Sequence, residues 1–198
     1  LNYYANNMTG KSAAWVRQFI DAEWGFSQSA APVVPAFNAD MHASRTPQTR
    51  IAFDSSRPLI VGLDPGLGGS AAVFGQMDMD GRLCVLGEIV AQGLPVTRLI
   101  ETKIKPYINA RFPGARVIVA PDPASRNRAQ GDGRTAVQVI AEHFDLAVET
   151  NNRLALRLEA IEWFATRVTP AGPAMAIDPD RCPALVRALR GGWRYEIK

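Results

Sequence analysis

Between residues 59 and 90 three short apolar runs follow one another, and this series limits the fold more than any other feature of the chain. Leu59-Ile-Val-Gly-Leu63 is rich in strand-forming residues and stops at Asp64-Pro-Gly-Leu-Gly-Gly69, where glycine and proline force a turn. Ser70 to Met77 is a second run, and Asp78-Met-Asp-Gly81 supplies turn chemistry before a third, Leu83 to Val90. Strands joined by tight turns pair antiparallel, so a meander is expected.

Beyond residue 94 helical and strand patterns alternate. Pro95 to Ala110 has helical spacing, with Leu99, Ile100, Ile104 and Ile108 on one side. Arg116 to Ala120 reads as a buried strand ending in Pro121-Asp122-Pro-Ala-Ser125. An Arg/Gly-rich loop over 126–134 leads to a helix over Thr135–Phe144, a strand over Leu146–Glu149 and a helix over Asn152–Arg167. A strand over Ala174–Ile177, a short helix over Asp180–Leu189 and a closing strand over Trp193–Ile197 complete the reading. The expected class is a mixed α/β sheet, three antiparallel strands and then parallel ones, with helices on both faces. Its order is similar to that of the ribonuclease H-like fold, in which strands one and four lie side by side.

Residues 1–57 read differently. Ser12 to Trp24 has a helical stripe of Trp15, Val16, Phe19 and Ile20, Pro32 and Pro35 keep the next stretch extended, and His42 to Ser56 is polar. This stretch is expected to be a connector, and 58–198 the domain. The first residue is Leu1 and not Met, which fits an excised piece, and the opening residues lack the order of a secretory signal.

Composition is that of an ordinary globular protein, 47% hydrophobic and 21% charged, with no apolar run long enough to span a membrane. Two Cys and two His offer no zinc spacing. Net charge is a mild +3, but Arg126, Arg128 and Arg134 form one cluster and Arg181, Arg187, Arg190 and Arg194 another. The guanidinium fork matches phosphate oxygens, so the first cluster is a candidate DNA contact.

Asp64 and Asp122 each end a predicted strand. If those strands are neighbours the carboxylates meet, and a hard divalent cation relieves their repulsion. Mg²⁺ or Mn²⁺ held there, as two ions about 4 Å apart, can stabilise the entering and leaving oxygens of phosphodiester hydrolysis.

Gly62-Leu-Asp-Pro-Gly66 resembles the first-strand motif of ribonuclease H-like nucleases, RuvC-type junction resolvases included. Ala120-Pro-Asp-Pro-Ala-Ser125, Asn151-Asn-Arg-Leu-Ala-Leu-Arg-Leu-Glu-Ala160 and the stretch from Ile177-Asp-Pro-Asp-Arg-Cys to Gly192-Trp-Arg-Tyr195 are similar to the nuclease half of phage terminase large subunits. Ala22-Glu-Trp-Gly25 and Pro32-Val-Val-Pro-Ala-Phe37, with His42, resemble the segment that follows the packaging ATPase there. The resemblance implies a metal-dependent endonuclease that cuts double-stranded concatemers in the host cytoplasm. It also implies an ATPase motor, a small terminase subunit and a portal as partners. By motif, Asp64 and Asp122 are its first two acids. The third belongs to a Ser-His-x-x-Asp-Ala-Leu-like motif that this sequence lacks, so it is expected beyond Lys198, with Asp178 or Asp180 as substitutes. Glu88 and Glu101 are weaker candidates, read as surface residues.

The alternatives are a RuvC-like resolvase and an actin-like ATP-binding domain, whose first strand also ends in Asp-x-Gly-x-x-x-Ser. The latter needs a second phosphate loop, for which Gly131-Asp-Gly133 is a poor match, and Thr9-Gly-Lys-Ser12 has only the tail of a P-loop. His143 reads as a cation suited to a helix end, and Trp193 and Tyr195 as one face of a strand.

Overall fold

Strand β1 (Leu59–Pro65) pairs antiparallel with β2 (Ser70–Met77), and β2 with β3 (Leu83–Ala91), as the three apolar runs predict. The computed structural model describes residues 31–46, 49–126, 134–147 and 153–195. The expected helix over Ser12–Trp24, the Thr9–Ser12 tail, Arg128 and Gly131–Gly133 lie outside them.

The sheet has six strands, in the order β5 (Asp145–Leu146), β4 (Val117–Pro121), β1, β2, β3 and β8 (Met175–Ile177). Strand β4 lies parallel beside β1, with Val61 opposite Val119, and β5 lies parallel beside β4. Strand β8 closes the other edge, parallel to β3. Alternation along β1 is strict: Leu59, Val61 and Leu63 are buried, whereas Ile60, Gly62 and Asp64 are exposed.

The buried side of β1 faces the larger core. One helical rod covers it, running from α2 (Val96–Leu99) through a wide turn at Ile100–Ile104 into α3 (Lys105–Arg111). The expected helix over Pro95–Ala110 is therefore present, with a π segment inside it. Pro106 has no N–H to donate and its ring crowds the preceding carbonyl, which the wider turn before it accommodates. Phe74, Phe112 and Tyr107 meet beneath this rod, with ring centroids 4.9 to 5.8 Å apart. Helix α4 (Ala136–Ala141) adds Val139 and Ile140, and Thr135 and Gln138 close a reciprocal capping box at its start.

A second core on the other face joins β3 and β8 to helix α5 (Leu154–Ala165) and the short α6 (Pro183–Arg187), through Val85, Ile177, Ala165 and Cys182. The described part of 1–57 packs against both cores. Val34 and Ala43 enter the second, and Ile51 and Phe53 lie against the first. Its short helix α1 (Ala39–His42) is capped by Asn38.

Two features differ from the sequence reading. A small hairpin, β6 (Val168–Thr169) with β7 (Gly172–Pro173), precedes β8. And among the described residues Trp193–Tyr195 forms no ladder, only a bridge between Arg194 and Pro32. The chain beyond α6 keeps a helical turn to Gly192, where Gly191 takes φ 111 and the Trp193 N–H donates to the Ala188 carbonyl. A side chain rarely adopts that backbone, so the glycine ends the helix and leads the chain into the bridge, where the Val33 N–H donates to the Trp193 carbonyl and the Tyr195 N–H to the Ala31 carbonyl.

His42 is fully buried, its Nδ1 accepting the Asn38 N–H at 3.0 Å and its Nε2 without a hydrogen bond. Burial lowers its pKa below the ordinary value. The folded state therefore refuses a proton that the unfolded chain accepts, so stability is present above about pH 6.5 and falls as pH drops through that value. Thermal melts between pH 8 and 5 are expected to lose stability at up to about 1.4 kcal/mol per pH unit from this group, a slope that His42→Gln flattens.

Cys84 and Cys182 are both buried and free. Burial pushes their thiols up to about 11 and about 12 respectively. Since the thiolate is the reactive species, iodoacetamide at pH 8 is expected to leave both unmodified in the folded protein and to label both after denaturation. Mass spectrometry reads the difference.

Candidate metal centre

Asp64 and Asp122 are brought together. Leu63 stands opposite Pro121 in the parallel β1–β4 pair, and the Asp122 N–H donates to the Leu63 carbonyl at 2.8 Å. Both acids thus leave neighbouring strands at the same level, roughly 5 Å apart at the backbone. Leu63 and Pro121 are buried, so alternation turns both acids onto the opposite face, where Asp64 is exposed and Asp122 half-buried. That face is open around them: a Cβ added at Gly62 would meet nothing within 4 Å.

The loops behind the acids are built tightly. After Asp64 the chain turns so sharply that a Cβ on Gly66 would stand 2.5 Å from the Gly69 carbonyl oxygen, and the Ser70 hydroxyl donates to the Gly66 carbonyl. After Asp122 the chain enters a 3₁₀ turn, Pro123–Arg126, in which the Ser125 N–H and hydroxyl both donate to the Asp122 carbonyl. Each carboxylate therefore stands on fixed backbone.

Asp122 already meets a cation. Arg157, on α5, places Nη1 3.4 Å from Asp122 Oδ1, with the two side chains 50% and 23% exposed. Nothing in the sequence reading singled out Arg157, because its partner lies 35 residues away on another element.

The other predicted residues fall elsewhere. Asp178 ends β8, three strands from β1 and so roughly 14 Å across the sheet. Its carboxylate is used in a turn, accepting the Asp180 and Arg181 N–H groups and pairing with Arg181 Nε at 3.4 Å. Asp180 pairs with Arg45, which holds its carboxyl below the usual range. Glu88 lies on the same face as Asp64, but its carboxylate accepts the Ala184 and Leu185 N–H groups at 2.7 Å each and so caps α6. It is a structural residue and not a solvated one. Arg126 is exposed at the end of the 3₁₀ turn behind Asp122, and Arg134 binds the Glu142 carboxylate at 2.7 Å. His143 places Nδ1 3.1 Å from Lys105 Nζ, on the rod that covers the face away from the acid pair.

The donor set fits a divalent cation in part. Two carboxylates supply hard oxygen ligands on one open face, and a positive group has already been drawn to one of them. Among the described residues no third His, Cys, Asp or Glu joins them in a metal-holding group.

Antiparallel β1-β2-β3, β4 parallel beside β1, β5 parallel beside β4, and helices on both faces define a ribonuclease H-like α/β domain with an acid pair at the adjacent ends of β1 and β4. No protein-family model and no curated protein matches the chain. Among solved structures it is similar to the g2p (large terminase) nuclease domain from bacteriophage SPP1 with bound Mn, at 18% identity and a TM-score of 0.44 over 73% of this chain and 71% of that one. A likeness of that depth carries no weight in assigning a function. No described helix is long and apolar enough to cross a membrane.

Proposed function

We propose that this chain is a divalent-metal-dependent DNA endonuclease, the nuclease part of a phage packaging protein that cuts concatemeric duplex DNA. The observation that supports it most is the meeting of Asp64 and Asp122 at one level on an open sheet face. Bound Mg²⁺ or Mn²⁺, as two ions in the fullest form of the proposal, would supply an activated water and charge stabilisation at phosphorus. Asp64 and Asp122 would hold the metal. Asp64, exposed, offers its carboxylate to solvent, while the Ser125 bonds fix the backbone from which Asp122 projects. Arg126, Arg128 and Arg134, close together in the sequence, would neutralise DNA phosphates, and Arg126 ends that turn. Contacts of that kind position the backbone without reading bases, so sequence preference is expected to be weak. Double-stranded DNA is the substrate in this proposal. An ATPase motor, a small terminase subunit and a portal are the proposed partners, in the host cytoplasm.

The test is supercoiled plasmid incubated with the chain and Mn²⁺ or Mg²⁺, resolved on agarose. Nicked and linear products that EDTA prevents are expected. Intact plasmid with both metals, together with no Mn²⁺-dependent rise in melting temperature, would overturn the proposal.

A further inference from the structure

Arg157 carries more than an ion pair. It projects from the first half of α5, where Leu154, Ala155, Leu156 and Arg157 are all exposed, while the helix is anchored further on through Ile161, Phe164 and Ala165. Its contact with Asp122 is a single 3.4 Å approach between partly exposed groups, not a two-pronged buried pair. Such a contact is weak and screened, and a long Arg side chain leaves it at little cost. A divalent ion between two carboxylates is a far stronger competitor for the same oxygen. Once displaced, the guanidinium stays on the same open face, with its fork free to match phosphate oxygens in a paired geometry.

We infer that Arg157 is an exchangeable counter-charge of the acid pair: it neutralises Asp122 when no metal lies between the acids, and moves to a backbone phosphate of bound DNA when one does. The inference rests on the nuclease proposal above. It gives the residue two measurable and opposite effects. Removing the charge takes away one competitor for the Asp122 oxygen and one contact from DNA, whereas a merely structural residue would weaken both or neither.

The test measures Mn²⁺ binding by isothermal titration without DNA, and duplex DNA binding by fluorescence anisotropy with Ca²⁺ present. Arg157→Gln is expected to bind Mn²⁺ about three- to tenfold tighter and the duplex about three- to tenfold weaker. Arg157→Lys keeps a charge on a comparable stem, so its Mn²⁺ affinity is expected to stay near that of the unaltered chain. If Arg157→Gln binds Mn²⁺ no tighter while Asp64→Asn abolishes Mn²⁺ binding, the counter-charge role is wrong and the metal site stands. If neither the unaltered chain nor Arg157→Gln binds Mn²⁺, both the role and the nuclease proposal fall.

Discussion

Asp64→Asn is expected to suppress plasmid nicking by on the order of a thousandfold or more, with no loss of melting temperature. The size follows from the role proposed for the carboxylate. A metal at phosphorus supplies several kcal/mol of charge stabilisation, and about 4 kcal/mol is a thousandfold in rate. Stability is spared because Asp64 is exposed and shares its corner with a second acid, so losing one charge relieves repulsion. Nicking rates and thermal melts on the same preparation check both halves. A variant that melts several degrees lower as it loses activity would show that Asp64 holds the fold and not a metal.

The largest effect on stability is expected from Phe112→Ala. Its ring is fully buried and touches three others: Phe53 from the stretch before β1, Phe74 from β2 and Tyr107 from α3. Deleting a buried phenyl ring costs about 3–5 kcal/mol, through lost transfer energy and the cavity left behind. Against a typical stability of about 5–15 kcal/mol, that is a large share of the total. Urea unfolding should show a much lower midpoint with an unchanged slope. A midpoint within about 1 kcal/mol of the parent would mean that the cluster collapses to fill the space.

The sequence made the first four strands legible because each is a short apolar run bounded by glycine, proline or aspartate, signals that act within a few residues. It also made Asp64 and Asp122 legible, because both follow such runs directly, and the β1–β4 pairing sets them side by side. What it left out depends on distant parts of the chain. The Arg157 contact spans 35 residues and the Glu88 cap spans 96. Neither leaves a local pattern, and an exposed Arg on a helix looks like any solvated one. The period-2 alternation of Trp193-Arg-Tyr195 is a real local signal, and the described residues pair there with residues 31–33 through one antiparallel bridge, a partner no local pattern names. The β6–β7 hairpin is two residues on each side, too short for alternation to register. The third acid is not found among the described residues, and Asp178 is kept from the pair by the width of β2 and β3.

The burial of both native thiols has a practical consequence for finding where the proposed DNA substrate would run. A cysteine introduced on the surface would be the only one open to a maleimide, with no need to remove the others. Leu67 sits three residues beyond Asp64 and is 59% exposed, so Leu67→Cys carrying a photoactivatable group would put a reporter at the lip of the acid pair. Covalent capture of duplex there, mapped base by base, would trace the strand past the acid pair in solution.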